Sequence, residues 1–278
     1  MNFEPLLKLF KIFEKNKWTT HALYETVMLN FCNLLTNLNE QQRDLILELT
    51  DRYNWISPNE LSAKLTNTLN LVEAEKLKSC KRIIVFPIMR PEDEDKVKSG
   101  HMIVYMVRGV KPFLKQYDHI QVIELIKYED IKHDKFKADV SDQIFLVDDY
   151  LGSGETIKTT IELVLKNRTI ELSQLNVIAI ASQRDTIDFV KGQGIPIYFD
   201  HEEKRGITDY YETEGASEKI MIMLEIEKLI PGGSLFSLGY NKSEALITLT
   251  RTPDNTFPIF WKEHKKDGQG FKAPFPRY

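Results

Sequence analysis

One stretch constrains this 278-residue chain more than any other: Ile144-Phe145-Leu146-Val147-Asp148-Asp149-Tyr150-Leu151-Gly152-Ser153-Gly154-Glu155-Thr156. Four consecutive apolar residues suit a buried strand, the Gly-Ser-Gly turn ends it, and Thr156 opens a helical pattern. In open α/β sheets ligands bind beyond the carboxyl ends of the strands, which places Asp148 and Asp149 in such a crevice. The turn lets backbone N–H groups approach an anion, and the free amides and positive dipole end of the following helix favour phosphate. Two carboxylates beside that cradle suit the hydroxyls of a sugar, or a magnesium ion bridging sugar and pyrophosphate oxygens. The plain alternative is an ordinary strand-turn-helix junction with acids near the helix start.

The surrounding pattern fits an α/β fold. From Arg82 onward, short β-branched and apolar runs at 83–86, 120–126, 144–147, 176–181 and 196–199 read as strands of a parallel sheet. Helices are expected between them at 99–117, 156–166 and 185–191. A further helix is expected at 218–229 and a late strand at 245–249, before an aromatic, proline-rich tail. Residues 4–80 carry helical spacing instead, with Leu7, Phe10 and Phe13, then Leu23, Val27, Phe31, Leu34 and Leu35. Ser57, Pro58 and Glu60 supply an N-cap, a first-turn proline and a capping-box acid for a helix bearing Leu61, Leu65 and Leu69. The expected division is a helical extension, 1–80, packed on the core or a partner, and an α/β domain, 81–278.

Composition narrows the class further. Hydrophobic residues at 42% and charged residues at 28% describe a soluble globular chain. A net charge of -4 argues against a dedicated nucleic-acid binder. Cys32 and Cys80 make no CxxC pair, and apolar runs stay far below the roughly 20 residues of a membrane helix. A cytoplasmic protein with no membrane partner is expected. No P-loop motif occurs, Ile157 stands where a dinucleotide-binding GxGxxG starting at Gly152 needs its third glycine, and the turn is no GxSxG elbow. The six histidines show no zinc-ligand spacing.

The 144–156 stretch resembles the signature of the type I phosphoribosyltransferases: an apolar strand, two acids, two apolar residues, a small-residue turn and a Thr. With Gly152 in place of the commoner Thr, it is similar to a divergent branch, the phosphoribosyltransferase-like proteins of bacterial conflict and anti-phage loci. The tail Thr252-Pro253-Asp254-Asn255-Thr256-Phe257-Pro258-Ile259-Phe260-Trp261 is similar to that branch's Thr-Pro-Asn-Asn-Thr-Leu-Pro ending with a Trp, departing from it at Asp254 and Phe257.

The resemblance implies a parallel-sheet type I phosphoribosyltransferase-like core with an N-terminal helical extension. It further implies phosphoribosyl pyrophosphate as ligand, Mg2+ as cofactor, and transfer of the phosphoribosyl group to, or its removal from, a nitrogen base or nucleotide in a bacterial defence system. Asp148 and Asp149 would be catalytic and metal-binding. Gly152, Ser153, Gly154, Glu155 and Thr156 would bind the phosphoribosyl pyrophosphate, with Lys98, Ser99 and Gly100 as the pyrophosphate loop. The alternative is a non-catalytic nucleotide-sensing or partner-binding subunit of a defence complex. The charged 127–143 segment sits where the family carries a mobile closing loop, against the simpler reading of a solvated loop. Asn255 is a candidate for a base edge, with Tyr240 or Trp261 stacking.

Overall fold

The computed structural model describes residues 3–277, so residues 1, 2 and 278 at the ends of the two expected segments lie outside the described residues. The chain starts with α1 (Glu4–Lys15), α2 (Tyr24–Thr36), α3 (Glu40–Asp51), a short β1 (Asn54–Trp55), α4 (Pro58–Asn70) and α5 (Ala74–Lys78). An alternating run follows: β2 (Arg82–Pro87), α6 (Ser99–Val110), β3 (Gln121–Glu124), β4 (Gln143–Leu151), α7 (Glu155–Val164), β5 (Leu175–Gln183), α8 (Arg184–Gly192) and β6 (Ile197–Glu203). Then come α9 (Thr213–Glu227), β7 (Ile247–Thr248) and the strands β8 (His264–Lys266) and β9 (Gln269–Phe271). Two compact units result, one spanning Asn59–Glu202 and one combining the segments up to Pro58 and from Glu203 onward.

The first unit holds a five-stranded parallel sheet in the order β3-β2-β4-β5-β6. Every position of β5 is buried, which is why its centre, residues 177–181, is a continuous apolar run and not an alternating one. On one face Ile84, Phe86, Ile144, Leu146, Val177 and Ala179 pack with Ile157, Ile161 and Val164 of α7 and Ile187 and Val190 of α8. The other set, Ile83, Val85, Phe145, Val147, Ile178 and Ile180, is buried as deeply. A sheet buried on both faces needs helices on both. α6 packs on β2 and β4, and α4 lies over β5, where the Thr68 hydroxyl donates to the Ala179 carbonyl at 3.4 Å. Lys64 of α4 pairs with Asp200 of β6 at 2.7 Å.

The units therefore part elsewhere than at the expected boundary of residue 80. α4 and α5 belong with the sheet they help to cover. α1 to α3 belong with the end of the chain. α6 also ends earlier than expected, at Val110; Pro112 has no N–H to continue it, and two 3-10 turns carry the chain to Tyr117.

The second unit is helical with a strongly aromatic interior. Phe13, Trp18, Phe31, Tyr53 and Trp55 share one core with Ile207, Met223, Ile226, Phe257, Phe260 and Phe275. Phe13 meets Trp18 and Phe31 edge-on, with ring centroids 5.0 and 5.8 Å apart, while Tyr53 stacks on Phe275 at 4.8 Å. The expected late strand is the two-residue β7, which pairs in parallel with β1. A capping box at Asn39 and Gln42 starts α3.

Because the two halves of this core come from opposite ends of the chain, neither end can bury its apolar face alone. A chain beginning at Asn59 should lose the cooperative transition of this unit in differential scanning calorimetry and aggregate. A monomer with the transition enthalpy of the full chain would show that the terminal segments fold independently.

Candidate functional site

The strand order turns back on itself between β2 and β4: from β2 the chain goes outward to β3, then returns to the other side as β4. At such a switch point the carboxyl ends of the strands open a crevice. Here the opening has a specific cause. Pairing with β2 ends at Pro87 opposite Val147, while pairing with β5 continues through Asp148 opposite Ala179 to Leu151 opposite Ser182. Asp148 and Asp149 thus stand inside a strand that runs four residues past its expected end, held on one side only. Tyr150 adds to that hold, its buried hydroxyl donating to Gln183 Oε1 at 3.1 Å.

Asp148 is half-buried and Asp149 buried. Asp148 Oδ1 accepts from the Ser99 hydroxyl at 2.6 Å and from the Asp149 N–H at 2.9 Å. Ser99 is the first residue of α6, so the amino end of that helix lies against the acid. Gly100 makes the approach feasible: a Cβ there would stand 3.0 Å from Pro87 Cβ and 3.1 Å from the Val147 carbonyl oxygen. Burial first, and the Asp149 carboxylate second, push the Asp148 carboxyl well above the usual range, against the Ser99 hydroxyl and the Asp149 N–H. Burial also raises Asp149, opposed by hydrogen bonds from Ser99 and Asp148. Neither acid has a cationic partner among the described residues.

β4 leads directly into the loop. Gly154, with φ +82°, caps α7, a left-handed conformation that favours glycine. The first intrahelical bond into α7 runs from Lys158 N–H to the Gly154 carbonyl, leaving the amides of Thr156 and Ile157 without intrahelical acceptors. The hydroxyls of Ser153 and Thr156 also have no partner among the described residues. The loop is braced from behind by Thr186 of α8, which is 1% exposed. Its hydroxyl donates to the Gly152 carbonyl and would lie 3.1 Å from a Cβ on Gly154. Nothing in the sequence marks Thr186, since the contact joins two successive strand-to-helix turns.

Of the expected residues, the structure brings Ser99 and Gly100 to the acids, but Lys98 turns away. Lys98 Nζ pairs with Asp93 Oδ2 at 2.9 Å. Hydrogen bonds from Lys96 and Lys98 hold the Asp93 carboxyl below the usual carboxylate range. Across the opening Arg90 pairs with Glu155 at 3.4 Å, linking the segment after β2 to the loop after β4.

Two other expectations are changed by packing. The 127–143 segment is neither wholly solvated nor a detached lid, because Tyr128, Ile131 and Phe136 are buried and Asn167 donates to the Ile131 and Phe136 carbonyls at 2.8 and 2.9 Å. Asn255 is buried in the helical unit with its amide donating to Ser243 Oγ at 3.2 Å, and the Trp261 indole donates to the Thr256 carbonyl at 2.8 Å. The Asn255 amide nitrogen and the Trp261 indole nitrogen are thus engaged within the fold.

Among the described residues no three His, Cys, Asp or Glu side chains converge as a metal cage. Two adjacent carboxylates nevertheless fit magnesium, which keeps several waters and is bound through one or two carboxylates together with substrate phosphates.

Two measurements check this geometry. Thr186→Val keeps the shape but leaves the Gly152 carbonyl without its donor, and should lower unfolding free energy by about 1–3 kcal/mol in urea. For Asp148, the folded pKa is raised, so the fold holds its proton more tightly than the unfolded chain does. Stability is full below the unfolded value of about 3.9 and is lost as pH rises toward the folded one. Asp148→Asn should therefore raise the melting temperature at pH 7, with the gain shrinking as pH falls toward 4.

No curated protein matches the chain. Among solved structures, a hypothetical protein from Neisseria gonorrhoeae with bound ppGpp is 12% identical, with a TM-score of 0.32 over 54% of this chain and 84% of that one. The family model PRTase-CE matches residues 31–277, and by that match across nearly its whole length the chain belongs to the PRTase-CE family, a phosphoribosyltransferase-type family.

Proposed function

We propose that the α/β unit binds phosphoribosyl pyrophosphate together with Mg2+ and transfers the phosphoribosyl group to, or removes it from, a nitrogen base or nucleotide, in a bacterial defence setting. One observation carries the reading: two adjacent carboxyls, one half-buried and one buried, without a cationic partner among the described residues stand on the strand leading into a loop where the Thr156 and Ile157 amides and the Ser153 and Thr156 hydroxyls are available to an anion. A sugar that is phosphorylated at its far end, bound with a divalent cation at its hydroxyls and developing positive charge at its reacting carbon, matches both halves.

In this reading the amides of Thr156 and Ile157, with the Ser153 and Thr156 hydroxyls, hold the 5'-phosphate. Asp148 and Asp149 hold the ribose hydroxyls and the metal. Their charge lies near the anomeric carbon as the bond to pyrophosphate breaks and positive charge develops there. Magnesium, when bound with the ligand, supplies charge neutralisation for the pyrophosphate. Ser99 orients Asp148, and Gly100 lets Ser99 reach it. Lys98 reaches pyrophosphate only by leaving Asp93.

That last requirement favours a second reading, a nucleotide-sensing or partner-binding subunit of a defence complex that keeps the phosphate cradle without turnover. The two separate in one experiment. Calorimetry with phosphoribosyl pyrophosphate should show binding that depends on Mg2+ and disappears in the Asp148→Asn, Asp149→Asn double variant. Pyrophosphate release in the presence of a panel of bases and nucleotides then identifies the enzyme, and magnesium-dependent binding without release identifies the sensor. Unchanged binding in the double variant would refute both assignments of the acids.

A further inference from the structure

A cavity in the α/β unit lies away from the acids. It has a volume of about 250 Å3 between the turn after β2, the 127–136 segment and the end of α7. It contains none of the loop residues 152–156. Leu163 in its wall stands eight residues along α7 from Glu155, about 12 Å at the rise of an α-helix.

Its interior is apolar, and its buried polar groups are already satisfied. Pro91, Tyr128, Ile131 and Leu163 present carbon to it. The Tyr128 hydroxyl, on the cavity floor, donates to the Met89 carbonyl at 2.6 Å. The Asn167 amide nitrogen donates to the Ile131 and Phe136 carbonyls, at 2.8 and 2.9 Å. Ordered water needs two to four polar partners, and this floor offers few. An apolar cavity of about 150 Å3 accommodates one benzene ring, so this one suits one or two rings.

The rim is charged and mostly cationic. Two lysines, Lys132 and Lys166, line it with His133 and one acid, Glu94. Lys132 is engaged by Glu129. Lys166 has no side-chain partner among the described residues. The amide orientation of Asn167, set by its two carbonyl acceptors, makes its oxygen the acceptor for His133 Nδ1 at 3.3 Å, so Nδ1 carries hydrogen and Nε2 is left for a ligand.

We propose that this cavity is a binding site for a small aromatic molecule of one or two rings bearing a single anionic group, with the rings against Tyr128, Ile131 and Leu163 and the anion at Lys166. The proposal stands independently of the phosphoribosyl pyrophosphate reading, because it uses none of that site's residues.

The test uses the full chain and two probes of one shape, naphthalene-1-sulfonate and the uncharged naphthalene-1-methanol, titrated by calorimetry. The sulfonate should bind saturably below about 1 mM. Lys166→Glu, a change at an exposed position, should weaken the sulfonate about tenfold or more while leaving the alcohol within about twofold. Leu163→Trp, which fills the cavity, should abolish both. Absence of saturable sulfonate binding by the unmodified protein, unchanged sulfonate affinity in Lys166→Glu, or unchanged binding of both probes by a folded Leu163→Trp protein would overturn the assignment. If Leu163→Trp does not fold, the Lys166→Glu comparison alone decides.

Discussion

Burying carboxyl groups inside a sheet is the constraint from which the arrangement of the α/β unit follows. The chain does it at both ends of β4, with opposite solutions. At the amino end Asp142 is fully buried, and Arg82 meets it with Nε at 2.9 Å and Nη2 at 2.5 Å. A bidentate guanidinium is a strong partner for a desolvated carboxylate. At the carboxyl end Asp148 and Asp149 receive only neutral donors, a hydroxyl and a backbone N–H. Removing two charges from water without a counter-charge is costly, and the resulting upward shift of both carboxyls expresses that cost. The amino-end acid has its counter-charge within the chain, whereas the carboxyl-end pair has none among the described residues.

Keeping those acids in place makes demands on the neighbours. The Ser99 hydroxyl has to sit 2.6 Å from Asp148, so α6 must start almost on top of the β2 and β4 backbones. Only a residue without a side chain fits at position 100, where a Cβ would press on Pro87 and the Val147 carbonyl. The same economy of space governs the loop, where Thr186 fills the volume behind Gly154 and ties down the Gly152 carbonyl. Two glycines and two hydroxyl residues thus hold the crevice open.

How much of this was legible in the sequence depended on whether the determining contact was local. The parallel sheet was readable because burial on both faces leaves continuous apolar runs, and the 152–156 loop because glycine and hydroxyl residues concentrate there. Four things were not readable. β4 continues to Leu151 because β5 is long enough to pair with it, a fact about another strand. Thr186 looks like any first-turn threonine. Lys98 next to Ser99-Gly100 suggests an anion site, yet Asp93, five residues earlier, is near enough to engage it. The division at Pro58 and Glu203 reflects pairing of the two ends of the chain, which no local pattern encodes.

The tail shows the same limit from the other direction. Its run of Thr, Pro, Asn and aromatic residues carries much of the resemblance and invites a role in base recognition. In the structure Thr252 shares a hydrogen bond with Thr248 at 2.9 Å, Asn255 donates to Ser243 and its carbonyl accepts from Ala245 N–H at 3.1 Å, and Phe257 and Phe260 are fully buried. A buried amide that has lost its hydration needs partners within the fold, and an aromatic ring without exposed area offers no face for stacking. Within the structure the motif helps to close the aromatic core of the helical unit. Carboxyls without a cationic partner and hydroxyls without a hydrogen-bond partner among the described residues lie instead at the end of β4 and in the loop that follows it.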